Sequence, residues 1–335
     1  MGQPQETHVR LAHGNGGRMM RELIEQVFRP ALANPLLDTG ADAVALPALE
    51  GEALVTTDAF TVQPLEFPGG DIGSLAVHGT VNDLAVCGAV PRYLTLNAIL
   101  EEGLELALLR RLVASIGSAA RDSGVQVVAG DTKVVGRGQC DGVYLATTGI
   151  GLRRPGVCLG LQLIRPGDRV LLSGPVGEHG AAVMLARESF GIRGQLRSDA
   201  AAVLAEAKAL LGVRGLRFMR DPTRGGLATV LHEIARACHC GVYVRERDIP
   251  VREEVRSVCE LLGFDPLYLA CEGRIVAVVA AEAADEELAA LRNVAAHAAL
   301  IGQLTEGGEH VVLETAFGGR RLLDELDDDP LPRIC

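Results

Sequence analysis

The apolar positions near the start of the chain keep the spacing of an α-helix. They recur in steps of three and four residues that bring them to one helix face: Met20, Leu23, Ile24, Val27 and Phe28. This pattern predicts a helix over residues 18–33. Further along the chain, helices are predicted at about 72–87 and 104–123.

Short β-rich runs separate these helices. Strands are predicted at 93–99, 126–129 and 142–150. Two more runs, at 43–46 and 53–57, flank Glu50-Gly51-Glu52 and are expected to pair as a hairpin.

A turn at Arg165-Pro166-Gly167-Asp168 opens a second region with a strand at 169–173. In that region we predict helices at 178–189, 199–211, 225–238, 251–262 and 284–296, and strands at 216–219, 241–245, 274–280, 299–304 and 310–314. Helices and strands mix without a strict βαβ alternation, which favours an α+β fold over a doubly wound parallel sheet. The predicted division is a loose arm (1–12), a first domain (13–152), a second domain (165–322) and a mobile tail (323–335).

Composition narrows the functional classes. Apolar residues make up 48% of the 335 residues but aromatic residues only 3%, so the core must consist mainly of Ala, Leu and Val. The net charge of −11 argues against nucleic acid as a partner, because phosphate contacts need a basic surface. No apolar run is long enough to span a membrane and the first residues lack a signal-peptide core. We therefore expect a cytoplasmic protein with reduced cysteines.

The chain ends in a thiol on an arm. Cys335 follows an acidic segment with two prolines, Pro330 and Pro332, which favour an extended conformation. A frayed terminus is the ordinary alternative. However, exposed cysteine is a liability that soluble proteins tend to avoid, so we interpret Cys335 as a carrier thiol.

A glycine-rich turn precedes the first predicted helix. It comprises Gly14, Asn15, Gly16 and Gly17. Backbone N–H groups at such a turn can hold phosphate, although no Walker A lysine follows and no strand precedes it. A plain turn remains the alternative.

Several aspartates stand at predicted strand ends or inside a helix. Asp42 precedes a predicted strand, Asp58 ends one and Asp131 follows another. Mg²⁺ prefers oxygen ligands, so these carboxylates are candidate metal ligands, with turn or cap roles as the alternative. Asp83, next to Asn82, lies inside an apolar helix where it has no capping role.

Three further residues could handle anions or protons. Lys133 follows Asp131 by two residues and could serve phosphates or a reacting amide, or be a solvated lysine. Arg224 lies in Asp221-Pro222-Thr223-Arg224-Gly225-Gly226, at a predicted helix start that could face an anion. Glu272 begins an apolar strand, where it is either a salt-bridged turn residue or a positioned base.

Together these segments resemble the hydrogenase maturation carbamoyl dehydratases, the HypE family. The resemblance runs from His13 to Cys335, and its most specific segments are His13–Gly17, Asn82–Ala85, Gly130–Lys133, Asp221–Gly226 and Pro332–Cys335. It implies a two-domain fold like that of aminoimidazole ribonucleotide synthetase, and a homodimer paired through the first domains. It also implies that Mg-ATP is bound by the glycine turn and the aspartates.

The resemblance further implies the site residues. Nucleotide contacts would be Gly14, Asn15, Gly16, Gly17, Asn82, Asp83, Asp131, Thr132 and Arg224. Metal ligands would be Asp42, Asp58, Asp83 and Asp131. Cys335 would carry the reacting group, and Lys133 and Glu272 are the candidates for the proton.

The implied reaction is the dehydration of a carbamoyl group on Cys335 to a thiocyanate, driven by ATP. A HypF-type carbamoyltransferase would load the thiol, and a HypC-HypD-type scaffold would receive cyanide for the iron of nickel–iron hydrogenases. One alternative is an ATP-dependent enzyme of the same superfamily that acts on a free small molecule. Another is a non-enzymatic scaffold whose tail binds metal or a partner.

Overall fold

The structure is a computed structural model that describes residues 6–187, 196–327, 331 and 333–335. A 3₁₀ turn at Leu11–Gly14 opens the first domain. Its helices are α1 (Arg18–Leu23), which continues through a π-helical turn (Ile24–Phe28) into α2 (Arg29–Leu32), then α3 (Ile72–Val86) and α4 (Leu106–Asp122). Its strands are β1 (Ala53–Phe60), β2 (Glu66–Phe67), β3 (Gly70–Asp71), β4 (Ala89–Glu101), β5 (Gln126–Val135) and β6 (Val143–Arg153).

The long strands of the first domain form one sheet in the order β1-β6-β4-β5. Strand β6 pairs antiparallel with β1 and with β4, whereas β4 and β5 run parallel. Along β4, buried Leu94, Leu96, Ala98 and Leu100 alternate with more exposed residues. Alternate side chains of a strand point to opposite faces, so one face of this sheet is covered by helices and the other is open.

Helix α3 is buried on nearly all sides. It packs on β1, β4 and β6 and on α4, and it also contacts the second domain. Buried residues run along almost its whole length, from Ile72 to Val86. A helix that is apolar all round belongs in an interior, which explains why α3 lies between the first sheet and the second domain.

The second domain is built on a mixed sheet. Its strands are β7 (Arg169–Leu172), β8 (Leu216–Arg220), β9 (Gly241–Arg245), β10 (Val276–Val279), β11 (Ala299–Thr305), β12 (Val311–Glu314) and β13 (Arg320–Leu323), in the order β13-β12-β9-β11-β7-β10-β8. The helices are α5 (Glu178–Arg187), α6 (Leu204–Leu210), α7 (Gly226–Cys238), α8 (Glu253–Leu262) and α9 (Ala284–Arg292). Among the described strand pairs of this sheet, β9 and β12 run parallel.

The α+β class and the two-domain architecture are confirmed, and most predicted elements form close to their predicted bounds. The hairpin prediction is wrong. Residues 43–46 form no strand, and β1 pairs instead with β6, where Asp58 lies opposite Thr147. The helix predicted at 199–211 is limited to Leu204–Leu210. Strand β13 was not predicted, and residues 188–189 of a predicted helix lie outside the described residues.

Residues 6–12 of the predicted loose arm pack against the first domain. The backbone N–H of Val9 donates to Leu104, and its side chain is buried. His13 is also buried, and its ring lies 3.1 Å from the carboxylate of Glu6. Within the described residues, we find no helix whose length and apolar character would let it cross a membrane.

Candidate active site

A small cavity of about 50 Å³ lies where the two domains and the end of the tail meet. Strand β1, helix α3, the loop before α7 and the segment before β10 supply most of its walls. The charged or reactive side chains that line it are Asp58, Asp83, Asp221, Arg224, Glu272 and Cys335. The terminal thiol therefore shares a cavity with four carboxyl groups and a guanidinium.

The tail is docked between the domains. Leu331 and Ile334 are buried in the core of the first domain, and Cys335 packs beside them. The backbone N–H of Thr61 donates to the terminal carboxylate of Cys335 (3.2 Å), and that of Gln63 donates to the carbonyl of Arg333 (3.3 Å). The chain leaving β1 thus guides the tail into the cavity.

The side chain of Arg333 is also anchored. Its guanidinium pairs with the carboxylate of Asp141, which in turn accepts a hydrogen bond from the hydroxyl of Tyr144. The guanidinium of Arg187 donates to the carbonyl of Arg333 at 2.7 Å. The tail tip is therefore fixed by backbone and side-chain contacts from both domains.

Three carboxyl groups of the cavity have raised pKa values because they are buried close to one another. Burial, and then the neighbouring Asp83, raise the pKa of Asp58 to about 6. Burial and the same neighbour raise the pKa of Asp221 to about 7. Burial raises the pKa of Glu272 well above its usual range, reinforced by Asp221. Such a cluster favours a bound cation or bound protons.

Arg224 supplies the positive charge that partly offsets this cluster. It opposes the rise in the pKa of both Asp58 and Glu272. The loop that carries it reaches the cavity because Gly226 has φ 60 and lies against the backbone carbonyl of Leu269. A β-carbon at Gly226 would approach that carbonyl oxygen to 2.6 Å, so only glycine fits.

Asn82 ties the two domains together beside the cavity. Its buried amide donates to the carbonyls of Ala201 (3.0 Å) and Glu272 (3.3 Å) and accepts from the N–H of Val203 (2.9 Å). These bonds occupy both of its N–H donors. Asn82 therefore ties α3, which carries Asp83, to the segment that carries Glu272, and its role as a nucleotide contact stays a prediction.

Hydroxyl groups orient the two aspartates of the first domain. Thr56 donates to Asp83 at 2.7 Å, and Thr80 donates to Asp58 at 3.3 Å. Thr56 and Asp58 are two residues apart on β1, so both point to the helix-covered face of the sheet, where Thr80 on α3 meets Asp58. Asp58 and Asp83 are thus held as an adjacent pair.

The other predicted residues lie in a second region, at the edge strand β5. A cavity of about 350 Å³ between β5 and the first helices is lined by Asp42, Asp131 and Thr132 together with apolar side chains such as Phe28. Lys133 pairs with Asp131 at 3.3 Å, and both side chains are more than half exposed. This volume lies in the range of small-molecule sites.

The sheet keeps the two regions apart. Asp58 pairs with Thr147 on β6, which pairs with Leu96 on β4, which pairs with Gly130 on β5. Three strand spacings, about 14 Å, therefore separate β1 from β5. Asp131 and Lys133 follow Gly130 by odd numbers of residues, so they point to the open face, opposite to Asp58.

The predicted metal set is consequently divided in the single chain. Asp58 and Asp83 line the tail cavity, whereas Asp42 and Asp131 line the cavity at β5. Within the described residues, no group of three or more His, Cys, Asp or Glu side chains is arranged to hold a metal ion. Two of the four predicted ligands therefore lie at each of the two cavities.

The glycine turn lies beside β5. A β-carbon on Gly14 would come within 2.6 Å of the backbone nitrogen of Val134, so this glycine permits close packing. At Gly16 the backbone conformation favours glycine, because its φ of 75° is in the left-handed region. Gly17 and the exposed Asn15 have open space around them. The turn thus lies near the β5 cavity, on the first domain.

Two residues that contact the cavity or the docked tail were not among the predicted site residues. The first is Asp221, whose buried carboxyl group lines the cavity. The second is His179, whose buried ring bonds the backbone carbonyl of Ile334 in the tail. The signal for Asp221 was its place in the same motif as Arg224; no sequence signal linked His179 to the tail.

Comparison with known proteins gives a consistent family assignment. Residues 40–153 match the family described as AIR synthase related protein, N-terminal domain, and residues 165–314 match its C-terminal domain. The carbamoyl dehydratase HypE of Azotobacter vinelandii is 49% identical over 335 residues, covering 98% of this chain and 97% of the relative.

Two solved structures are similar over most of the chain. The crystal structure of the hydrogenase maturation protein HypE in complex with ATP has a TM-score of 0.93 and 46% identity, covering 97% of this chain and 99% of the other. The structure of a HypE-HypF complex has a TM-score of 0.80 and 41% identity, covering 91% and 99%.

Proposed function

The chain belongs to the HypE family of carbamoyl dehydratases, and we propose that it dehydrates a carbamoyl group carried on its own Cys335. The product would be a protein thiocyanate, and ATP would drive the reaction. The cyanide would then become a ligand of the iron in nickel–iron hydrogenases.

One observation carries this proposal. The docked tail brings Cys335 into the cavity that Asp58, Asp83, Asp221, Arg224 and Glu272 line. A free metabolite as substrate would leave the docking of the terminal thiol at this cavity without a purpose. The carrier-thiol interpretation accounts for both the tail and the carboxyl groups.

The reaction explains why phosphate chemistry is needed. The carbamoyl thioester S–C(=O)–NH₂ must lose its oxygen and both hydrogens on nitrogen to become S–C≡N. Hydroxide is a poor leaving group, so the carbonyl oxygen attacks the γ-phosphorus of ATP, ADP leaves and one N–H proton is released. Loss of the second N–H proton then expels the oxygen as inorganic phosphate.

Glu272 is the residue that we propose for removing a proton. Its Oε1 is buried without a hydrogen-bond partner, which leaves it available to an amide N–H. Burial raises its pKa, so its ionised form is a strong base. Positive charge that arrives with the nucleotide would favour that ionised form, while Arg224 already acts in the same direction.

The carboxylates also fit a magnesium ion that accompanies the nucleotide. Mg²⁺ in nucleotide sites is commonly held by one or two carboxylates together with phosphate oxygens and water. The adjacent Asp58 and Asp83 match that need, and burial together with the neighbouring Asp83 raises the pKa of Asp58. When bound, the ion would neutralise charge on the phosphates.

The nucleoside part has room in the cavity at β5. We propose that this cavity, with Asp42, Asp131 and Thr132, and the open glycine turn beside it contribute to ATP binding. In a single chain this region lies at the edge strand β5, three strand spacings away from β1. Lys133 belongs to the same region, and its part in proton transfer stays a prediction.

A homodimer agrees with the uncovered face of the first sheet. Val55 and Ile99 point to that open face and are 67% and 38% exposed. Apolar residues at the centre of an open sheet favour a partner surface. We propose that two chains pair there, which would add the β5 region of a second copy to the assembly.

Two partner proteins follow from the reaction. A HypF-type carbamoyltransferase would deliver the carbamoyl group, in line with the solved complex of a related HypE with HypF. A HypC-HypD-type complex would accept the cyanide. Both partners need Cys335 to leave its cavity. This is possible because only noncovalent contacts hold the end of the tail there.

Intact-mass measurement tests this function. The protein is incubated with carbamoyl phosphate, a HypF-type partner and Mg-ATP. Carbamoylation should add about 43 Da and dehydration should then remove about 18 Da. A Cys335→Ala chain should show neither change, whereas Cys158→Ala, at an exposed cysteine outside the cavity, should show both. Mass changes that persist in Cys335→Ala would contradict the proposal.

A further inference from the structure

The first turn of α5 holds a buried histidine that contacts the tail. His179 is 0% exposed, and its ring packs edge-on against Phe67, with 5.4 Å between centroids. Its Nε2 lies 2.7 Å from the carbonyl oxygen of Ile334, one residue before the thiol. Its Nδ1 lies 2.7 Å from the hydroxyl of Ser198.

These distances fix the direction of each hydrogen bond. A carbonyl oxygen only accepts, so Nε2 carries the proton and donates to Ile334. Burial lowers the pKa of His179 to about 4, so the ring is neutral at physiological pH. Its Nδ1 therefore accepts from Ser198, whose oxygen in turn accepts from the N–H of Ala200 at 3.0 Å. The chain of bonds keeps the ring in one tautomer.

We propose that His179 is the positioning residue for Cys335, a latch that grips the carbonyl of Ile334 and so holds the terminal thiol in the acidic cavity. This inference deepens the proposed function, on which it rests for the identity of the reacting thiol. His179 does not line the cavity itself; it acts through the tail backbone.

The latch bond differs from the two arginine contacts of the tail in its burial. Arg187 and Arg333 make their contacts at the surface, where water can replace either partner. The bond between His179 and Ile334 is buried, so a departing tail leaves a buried N–H without its partner. Leaving a buried hydrogen bond unmade costs free energy, so this contact shifts the equilibrium toward the docked tail.

The docked tail also needs such stabilisation. Arg333 has φ 58, a left-handed conformation that costs free energy for a residue with a β-carbon. The turn at Arg333 directs Ile334 into the core and Cys335 into the cavity. Contacts on either side of this turn, from Gln63 and from His179, offset that cost.

The test measures how often the tail leaves. Unmodified protein is treated with iodoacetamide, and alkylation of Cys335 is followed by peptide mass, separately from the exposed Cys87 and Cys158. His179→Leu should alkylate about five- to tenfold faster than wild type, the factor that corresponds to one hydrogen bond. His179→Gln, which retains an N–H donor, should lie closer to wild type.

His232→Leu is the matched control. Its ring also bonds a backbone carbonyl, that of Leu323, at 3.0 Å, but this residue is the last of β13 and lies far from the docked end of the tail. This variant should leave the alkylation rate of Cys335 unchanged. An unchanged rate in folded His179→Leu, or an equal increase in His232→Leu, would overturn the latch.

A measurement on wild-type protein covers the case in which His179→Leu does not fold. The ¹⁵N spectrum of the histidine rings should show His179 protonated at Nε2, and this signal should shift in a chain that lacks residues 334–335. No shift would overturn the proposal. The proposed function has its own readout, because it fails if wild-type protein never loses about 18 Da after carbamoylation, whatever the alkylation rates.

Discussion

The tail cavity and the β5 region both contain carboxylates, but these carboxylates differ in burial and in whether a positive charge is paired with them. At the tail cavity, Asp221 and Glu272 are buried and burial raises the pKa of each. At β5, Asp131 is half exposed and already paired with Lys133. Buried carboxyl groups with too few positive partners are typical of a reacting centre. The exposed ion pair at β5 is instead typical of a surface that binds a ligand or a second chain.

The largest effect expected from this contrast concerns Glu272. Replacing it by Gln keeps its shape but removes the base, so dehydration of carbamoylated Cys335 should slow by about 100-fold or more. Carbamoyl loading should not change. Single-turnover intact-mass kinetics measures both steps.

Glu287→Gln is the matched control for this variant. Glu287 is equally buried, both its oxygens lack hydrogen-bond partners, and burial raises its pKa to about 8, but it lies on α9 outside the cavity. The control should dehydrate its substrate at the wild-type rate. A wild-type rate in Glu272→Gln would remove Glu272 from the mechanism.

The second effect concerns pH. The raised pKa of Asp58, about 6, means that it binds a proton where an ordinary aspartate would not. Affinity for Mg²⁺ with a non-hydrolysable ATP analogue should therefore rise between about pH 5 and pH 7, by up to about tenfold per unit for one displaced proton. Calorimetric titration at several pH values measures this, and Asp58→Asn should flatten the rise.

The same pKa has the opposite sign for stability. A carboxyl whose pKa is raised on folding stabilises the folded state below its unfolded pKa of about 4, and this contribution is lost as the pH rises through about 6. Without nucleotide, the protein should thus lose stability over that window. A binding profile that is flat from pH 5 to 7 would show that Asp58 is not a ligand.

The third effect concerns the tie between the domains. Asn82→Ala removes hydrogen bonds to Ala201, Val203 and Glu272 and leaves buried groups unpaired, which should lower the free energy of unfolding by about 2–3 kcal/mol. Dehydration should slow as well, because Asn82 ties α3, which carries Asp83, to the segment that carries Glu272. Urea unfolding and the mass assay measure the two effects.

Asn34→Ala provides the comparison for Asn82. The side chain of Asn34 bonds the backbone at Leu32, Leu36, Leu37 and Val127, all within the first domain. Because Leu32, Leu37 and Val127 also line the cavity at β5, the comparison is made at saturating ATP, where this variant should cost similar stability but leave dehydration unchanged in the folded protein. Equal slowing by both variants would mean that Asn82 has no particular role at the cavity.

The smallest effect on stability is expected at β5. Lys133→Ala removes an exposed ion pair, so the free energy of unfolding should change by less than about 1 kcal/mol. Its effect on the rate of dehydration shows whether the β5 region takes part in the reaction at the tail cavity. A loss of activity that grows on dilution of the protein would assign Lys133 to a site completed by dimerisation; a loss that is independent of concentration would not.

Sequence patterns predicted the elements that depend on local periodicity. The helix over α3 follows from its continuous apolar run, and the presence of Asn82 and Asp83 inside that run signalled a special position. The run at 43–46 had β-rich composition, yet it forms no strand because β1 pairs with the distant β6. Strand partners are decided by the whole sheet, which local composition does not reveal.

The site was predictable in its parts but not in its arrangement. Cys335, Asp58, Asp83, Arg224 and Glu272 were predicted as site residues, and the structure places them at one cavity. The separation of Asp131 and Lys133 from them depends on strand register and on the face to which each side chain points. Those properties arise only once β4, β5 and β6 pair.

Oxygen tracing tests the central claim most directly. Cys335 is loaded with a carbamoyl group that carries ¹⁸O, ATP is added, and inorganic phosphate is analysed by mass spectrometry. If the carbamoyl oxygen is expelled as phosphate, each thiocyanate formed should yield one phosphate with a single ¹⁸O atom. Unlabelled phosphate, with the label recovered in water, would contradict the mechanism.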